Sequence, residues 1–266
     1  MSETVVVERD GGVTRLTLNK PDKLNAIDEP MFADLRDAVG AVGTDEECRV
    51  LVITGAGRGF CAGFDLVGGD YDGSAVTSGR TVNSLMAGQE RIADIVRRLR
   101  GLRCAVVAAV NGPAAGAGLA LALAADIRIA STAAKLIVAP VKIGLSAGEM
   151  GISYFLPRLI GLSRATEMCL TGRAVGADEA ERIGLVHRIS GPDALAAATD
   201  EIVTSILANA PFSIWMTREL LAANVDAPSL DVALHLENRT QVLAGFGPDM
   251  AEAVAAFREK RPPHYS

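Results

Sequence analysis

Aromatic side chains are scarce: 4% of the 266 residues, with a single tryptophan. The core must therefore be built from aliphatic and small side chains. Cysteine is equally sparse. Cys48, Cys61, Cys104 and Cys169 stand far apart, with no CxxC pair and no Cys/His cluster, so neither a disulfide framework nor a metal site is expected. There is no basic excess: 26 Lys+Arg against 32 Asp+Glu gives a net charge of −6. Such a chain has no general attraction for nucleic acid or for an anionic membrane. Any anionic ligand has to be held by a local site. The apolar stretches at residues 104–110 and 119–125 are interrupted by Asn111-Gly112-Pro113, and neither reaches the ~20 residues of a membrane span. The first twelve residues are polar and acidic rather than leader-like, so a cytoplasmic protein is expected. No GxGxxG occurs, and no GKS or GKT follows a glycine loop, which removes the dinucleotide and P-loop readings.

What is present is an ordinary globular composition, 49% hydrophobic and 22% charged, long enough for a sizeable core. Residues 5–8 and 13–18 are β-branched runs around Asp10-Gly11-Gly12 and read as a hairpin. Residues 28–42 carry Met31, Phe32, Leu35, Val39 and Val42 at helical spacing. Residues 50–54 and 105–110 are apolar enough for buried strands, and residues 126–131 and 136–138 follow as further strands. Residues 68–79 are rich in Gly, Ser and Asp and read as a mobile loop. From Val82 to Leu99 the apolar spacing predicts one face of a long helix, and a small-residue helix is expected from Leu119. After Gly172 helices dominate. The last begins at Pro248 with Asp249 and Glu252 early and Arg258, Lys260 and Arg261 late, matching the helix dipole. The fold class read from this order is α/β followed by a helical C-terminal region.

Two glycine-rich turns, each after a buried strand, carry the strongest chemistry. One is Gly55-Ala56-Gly57-Arg58-Gly59-Phe60-Cys61-Ala62-Gly63-Phe64-Asp65; the other is Asn111-Gly112-Pro113-Ala114-Ala115-Gly116-Ala117-Gly118. Tiny side chains let a ligand approach the backbone, and free N–H groups at a helix start attract negative charge. Two such loops on adjacent strands can aim two donors at one oxygen, an oxyanion hole suited to a thioester becoming an enolate. Tight turns alone would use the same glycines. Glu149, in Ser146-Ala147-Gly148-Glu149-Met150-Gly151, is a candidate acid/base in apolar surroundings. It reads equally as a charge ahead of the helix at residues 152–159. Gly144-Leu145-Ser146-Ala147-Gly148 matches the GxSxG nucleophile elbow, with Asp178 or Asp193 and His187, His235 or His264 following. Pro140 disturbs the strand such an elbow needs. His187 itself, in Leu185-Val186-His187-Arg188-Ile189 at strand spacing, reads as a surface-facing strand histidine.

These segments carry a resemblance. Lys23-Leu24-Asn25-Ala26, Gly59-Phe60-Cys61-Ala62-Gly63-Phe64-Asp65-Leu66 and the run from Asn111 to Gly118 resemble the enoyl-CoA hydratase/isomerase (crotonase) superfamily. Ala125-Asp126-Ile127-Arg128, Leu170-Thr171-Gly172-Arg173, Gly184-Leu185-Val186 and Phe257-Arg258-Glu259-Lys260-Arg261-Pro262 extend it over the whole chain. The resemblance implies a spiral of ββα units over residues 1–195 and a C-terminal helical trimerisation region over residues 196–266. It implies a homotrimer or dimer of trimers. The ligand would be an acyl-CoA, with coenzyme A as part of the thioester substrate and no separate cofactor. By position it gives Phe64 and Ala117 N–H groups as oxyanion donors. It gives Lys23, Leu24, Ala26, Ala62, Phe64, Asp65, Leu66, Gly116, Ala117 and Lys260 as substrate or CoA contacts.

The departures from the family pattern bear on the reaction. The two glutamates that hydratases use to place and activate water fall at Ala120 and Pro140, and neither side chain can take a proton. Glu149 matches the position where dienoyl-CoA isomerase-like members carry an acid. One carboxylate beside an oxyanion hole suffices for a proton shift, because isomerisation consumes no water. The favoured expectation is thus an enoyl-CoA isomerase-type enzyme, with two-glutamate hydration disfavoured. A non-catalytic acyl-CoA-binding protein and a serine hydrolase using Ser146 are the competing readings.

Overall fold

Strand propensity and glycine turns build the sheet in the expected order. The structure, a computed structural model, describes residues 4–67 and 81–265; the glycine-rich stretch at 68–79 lies outside the described residues. β1 (Val5–Asp10) and β2 (Val13–Leu18) form an antiparallel hairpin. α1 (Glu29–Thr44) follows, its Asp28 cap accepting from Met31 N–H at 3.1 Å, which satisfies a donor the helix itself cannot. β3 (Val50–Gly55) leads to α2 (Val82–Arg100), closed at its start by a reciprocal Thr81/Ser84 capping box and at its end by Arg97, Arg98 and Arg100. β4 (Ala105–Val110), a short β5 (Ala114–Ala115) and α3 (Ala117–Ala124) come next. β6 (Ile127–Ser131) and β7 (Lys135–Ile137) complete the first two thirds.

The main sheet has six strands: β1-β2-β3-β4-β6 and then β9 (Arg188–Ser190), all parallel except the opening hairpin. A smaller sheet joins β5 to β7 and β7 to β8 (Ala174–Gly176). Side chains alternate across the main sheet with period two. Leu51, Ile53, Val106, Ala108 and Val110 face the large core shared with α1, α2 and α3. Val50, Val52, Val107, Ala109 and Ile129 face a second cluster with Leu195, Ala198 and Val203 of α7 (Leu195–Leu207). Both faces are covered, so β3 and β4 read as apolar runs without alternation.

α4 (Ile152–Ile160), α5 (Leu162–Thr171) and α6 (Ala177–Arg182) lie between the two sheets' strands in sequence. His187 is exposed, and its N–H donates to Arg128 O at 2.8 Å just before β9. α8 (Pro211–Asn224), α9 (Leu230–Phe246) and α10 (Pro248–Glu259) end the chain. α8 is tied to the body by Arg218, whose Nε lies 2.6 Å from Asp126 Oδ2 and whose Nη1 donates to Leu102 O. Arg100 Nη1 reaches the same Asp126 at 2.9 Å, and Val106 N–H donates to it at 2.8 Å. This carboxylate joins three elements. Neither α8 nor α9 buries a residue.

Two helices depart from the sequence expectation in ways that matter for the core. α3 starts at Ala117, two residues before Leu119. Its residues are buried on every side, so it has no apolar stripe to mark its first turn. On α2 only Ile92, Ile95, Val96 and Leu99 are buried, while Val82 and Met86 are exposed. The apolar spacing continues beyond the half of the helix that the core covers.

The loop after β3 and the turn before α3 touch backbone to backbone. A methyl group on Gly118 would overlap Cys61 O, and one on Gly112 would overlap Arg58 O. Gly118→Ala should therefore destabilise the fold by about 1–3 kcal/mol or more, the range of an overpacked core. Urea unfolding will show this as a lower midpoint at unchanged slope.

Candidate active site

Two asparagines hold the glycine loops in place. Asn25 is fully buried, with φ 56°, in the left-handed region that Asn tolerates better than most residues. Its Nδ2 donates to Ala56 O (3.0 Å), Gly59 O (2.8 Å) and Phe60 O (3.2 Å), and its Oδ1 accepts from Lys20 N–H (2.8 Å). Asn111 Oδ1 accepts from Gly55 N–H at 3.1 Å, while its Nδ2 donates to Gly57 O (2.9 Å) and Gly59 O (3.1 Å). Phe60 and Cys61 N–H both reach Pro113 O at 3.1 Å, and Ala115 N–H reaches Cys61 O at 2.9 Å. The two turns are thus one cross-linked unit. Both asparagines lie inside the sequence motifs, and their bracing role emerges only from these contacts. The signal available was an Asn beside tight-turn residues, where its side chain replaces missing backbone partners.

This unit forms one wall of a pocket. Ala62, Gly63, Phe64 and Leu66 contribute from the first loop, and Gly116 and Ala117 from the second. Ala139, Pro140, Ile143, Leu145 and Glu149 close the other side. Gly116 caps α3 with φ 51° and ψ −120°, a glycine conformation, and its N–H is taken by Ile137 O at 3.1 Å. Ala117 is the first residue of α3, and the first intrahelical donor is Ala120 N–H, to Gly116 O at 3.0 Å. The N–H groups of the first turn therefore have no acceptor within the helix. A methyl on Gly63 would stand 3.6 Å from Ala117 N, so the Phe64 end of one loop and the start of α3 are neighbours.

The sequence candidates divide into three groups. Ala62, Phe64, Leu66, Gly116, Ala117 and Glu149 line the pocket together. Lys23, Leu24, Ala26 and Asp65 do not line it; they fasten the loop that does. Leu24 O accepts from Ala62 N–H at 2.9 Å, Ala26 N–H donates to Lys23 O at 3.1 Å, and Lys23 Nζ lies 2.7 Å from the buried carboxylate of Asp65. That hydrogen bond and charge raise the Lys23 pKa. Lys260 sits exposed at the end of α10, outside the lining. Ala120 is fully buried in α3 and does not line the pocket, whereas Pro140 does, at the start of a 3-10 turn (Pro140–Ile143). Ser146 follows that turn rather than a strand and is exposed, its Oγ accepting from Gly148 N–H at 3.3 Å. The strand–turn–helix of a nucleophile elbow is absent there.

Glu149 is half-buried, and a methyl on Gly116 would lie 3.3 Å from its Oε2. The carboxylate therefore stands beside the start of α3. Among the described lining residues it is the one ionisable side chain. Burial raises its pKa, because desolvation penalises the charged form. The buried Cys61 thiol is pushed up to about 12, by burial first and with the Glu149 charge adding to it, so it stays neutral beside the carboxylate. The arrangement offers backbone donors for a developing oxyanion and one group able to hold or release a proton.

A mixed sheet flanked by helices, a C-terminal helical region and a pocket at two glycine loops match the architecture of a crotonase-type enzyme. The Enoyl-CoA hydratase/isomerase family model matches residues 8–266, and the chain belongs to that family. It is 40% identical over 255 residues to the probable enoyl-CoA hydratase EchA12 of Mycobacterium tuberculosis, covering 96% of this chain and 89% of that one. It is 36% identical over 266 residues to the 1,2-epoxyphenylacetyl-CoA isomerase of Escherichia coli, covering 100% and 99%. The crystal structure of an enoyl-CoA hydratase from Bacillus anthracis superimposes with a TM-score of 0.89 at 29% identity, covering 98% of both chains.

A raised carboxyl pKa carries a stability consequence of fixed sign. The folded state binds the Glu149 proton more tightly than the unfolded state, so ionised Glu149 costs stability. The cost is absent below the unfolded-state pKa and complete above the folded-state one. Glu149→Gln should melt higher than the parent at pH 8, by roughly one to a few degrees for a chain of this size. Thermal scans repeated toward pH 4 should show that advantage disappear.

Proposed function

We propose that this enzyme moves a double bond within an enoyl-CoA thioester by a one-carboxylate proton shift. As a member of its family it binds acyl-CoA and acts on enoyl-CoA thioesters. The observation that carries the finer reading is that Glu149 alone among the described lining residues can ionise. In this reading the thioester carbonyl oxygen accepts from Phe64 and Ala117 N–H. Glu149 takes the proton from the carbon beside the thioester, and the electron pair moves onto the carbonyl oxygen as a dienolate. The same carboxyl then returns the proton two carbons further along the chain, and the carbonyl re-forms. No water enters. Each oxyanion donor lowers the barrier by ~2.7–4 kcal/mol, and the positioned acid/base adds roughly 10²–10⁴-fold.

Ala120 and Pro140 support isomerisation over hydration, since neither can orient or deprotonate a water. The E. coli relative is named an isomerase of an epoxide-bearing acyl-CoA, while EchA12 bears a hydratase name. We further propose that residues 196–266 carry the contacts of a trimer or dimer of trimers. The support is the apolar exposure on α8–α10, where Phe246 is 88% and Phe257 85% exposed, more than a surface left in water usually holds. Lys260 would meet the CoA nucleotide in that assembly. A cytoplasmic location belongs to the same proposal; among the described residues no helix is long and apolar enough to cross a membrane.

The test is hydrogen exchange in D₂O over a panel of 2-enoyl- and 3-enoyl-CoAs. Deuterium should enter beside the thioester and the double bond should migrate, with no gain of water in product mass. Glu149→Gln should lose ~10²-fold or more in turnover while acyl-CoA binding changes little. Unchanged turnover in that variant removes Glu149 from the mechanism, and product that has gained water restores hydration. Binding without exchange across the panel would leave the pocket non-catalytic.

A further inference from the structure

Glu149 owes its place to an unusual turn. Ile152 N–H donates to Glu149 O at 2.8 Å, closing a turn whose two central residues are Met150, φ 44°, and Gly151, φ 86° and ψ 5°. Positive φ at both central positions is the signature of a type I′ turn, which normally takes Asn, Asp or Gly at the first of them. Here the first is methionine, in a region that L residues rarely occupy. Glycine would adopt the conformation freely, yet Met150 is 6% exposed and its side chain belongs to the main core. α4 begins at once, with Ile152 and Leu156 fully buried. The orientation of Glu149 relative to α4 is therefore set by two left-handed residues, one of them pinned by its side chain. Glu149 N–H donates back to Ala147 O at 3.0 Å, so the chain is held on both sides of the carboxylate.

From this we infer that Met150 is the positioning residue for Glu149. Its core-anchored side chain holds the left-handed turn that keeps the carboxylate against Gly116 and the start of α3. Two demands then fall on residue 150. It must be apolar, to stay anchored, and it must be unbranched at Cβ, because branching makes positive φ prohibitive. Methionine and leucine meet both demands. Isoleucine has leucine's volume and polarity but fails the second. The inference rests on the proton-shift reading for its kinetic consequence, though not for its geometry.

The experiment compares Met150→Leu with Met150→Ile, with thermal unfolding to confirm that both fold. Met150→Leu should keep kcat within about 3-fold, since leucine and methionine interchange at little cost. Met150→Ile should lower kcat roughly 10²-fold, the effect of misplacing a reacting group by about 1 Å, with KM for the enoyl-CoA little changed. The Glu149 carboxyl titration, read by ¹³C NMR against Glu149→Gln, should stay raised in the leucine variant. It should fall toward the ordinary carboxylate range in the isoleucine variant, as the group swings into water. Among the described residues the neighbouring titratable group is Cys61, which stays a neutral thiol. Equal kcat and equal titration in the two variants overturn the inference. The NMR readout needs no turnover, so it still decides the matter if Glu149→Gln proves active and the proton-shift reading fails. Should Met150→Ile not fold, Met150→Gly, which takes the left-handed conformation freely but has no side chain to anchor, should likewise lose kcat and lower the Glu149 titration relative to Met150→Leu; values equal to those of Met150→Leu overturn the inference.

Discussion

The structure depends on the absence of side chains where two backbones meet. The segment around Arg58 and Cys61 and the segment from Gly112 to Gly118 approach so closely that a methyl at either glycine would occupy a carbonyl oxygen's place. From that contact follow the hydrogen bonds of Phe60 and Cys61 to Pro113 O and of Ala115 to Cys61 O. From it also follow the short β5 strand and the position of α3's first turn. Asn25 and Asn111 seal the arrangement by satisfying carbonyls that the tight turns leave without backbone partners. A buried unsatisfied carbonyl costs about 1–3 kcal/mol, so these amides are as much a part of the pocket wall as the residues that face it.

That wall is neutral, and this governs the chemistry. In the proposed reaction its donors are backbone N–H groups, whose orientation is fixed by the fold before any ligand arrives, so little reorganisation accompanies charge development. A second carboxylate would add repulsion to an already desolvated site. With Glu149 alone, burial raises the pKa without a competing charge, which suits the role proposed for it, taking a proton and giving it back. The same burial makes the ionised form a cost to the fold. Retaining such a group against its effect on stability is expected where it acts on a ligand rather than on packing.

Much of this was legible in the sequence, for identifiable reasons. Apolar strands covered on both faces announce themselves by composition, and the glycine loops by residue type. The last helix, with Pro248 at its start, acids early and bases late, marks its termini through local electrostatics. The start of α3 was not legible, because a helix buried all round carries no periodic stripe. The exposure of Val82 and Met86 was not legible either, since spacing reports which residues share a face and not how far the neighbouring core extends. Five of the proposed contact residues line the pocket together with Glu149, but Lys23, Leu24, Ala26 and Asp65 brace it from behind. Motif position cannot separate the two groups, because a residue that fixes a loop and one that faces the ligand are adjacent in the chain. The Met150 turn was hidden for a different reason: methionine in a left-handed turn contradicts the local rule that Asn or Gly marks such places.

The net charge of −6 returns here as a question of distance. Coenzyme A is anionic, so a uniformly acidic surface would oppose it. At physiological salt the Debye length is about 8 Å, and charges farther than that from the ligand count for little. The Lys23 ammonium, which braces the first loop from behind, is drawn to Asp65 at 2.7 Å. That pair offsets the lysine's charge. In the proposed reading, recognition rests on oriented backbone donors more than on net positive potential. This agrees with a pocket wall built from Gly and Ala, where the peptide group is what a ligand meets.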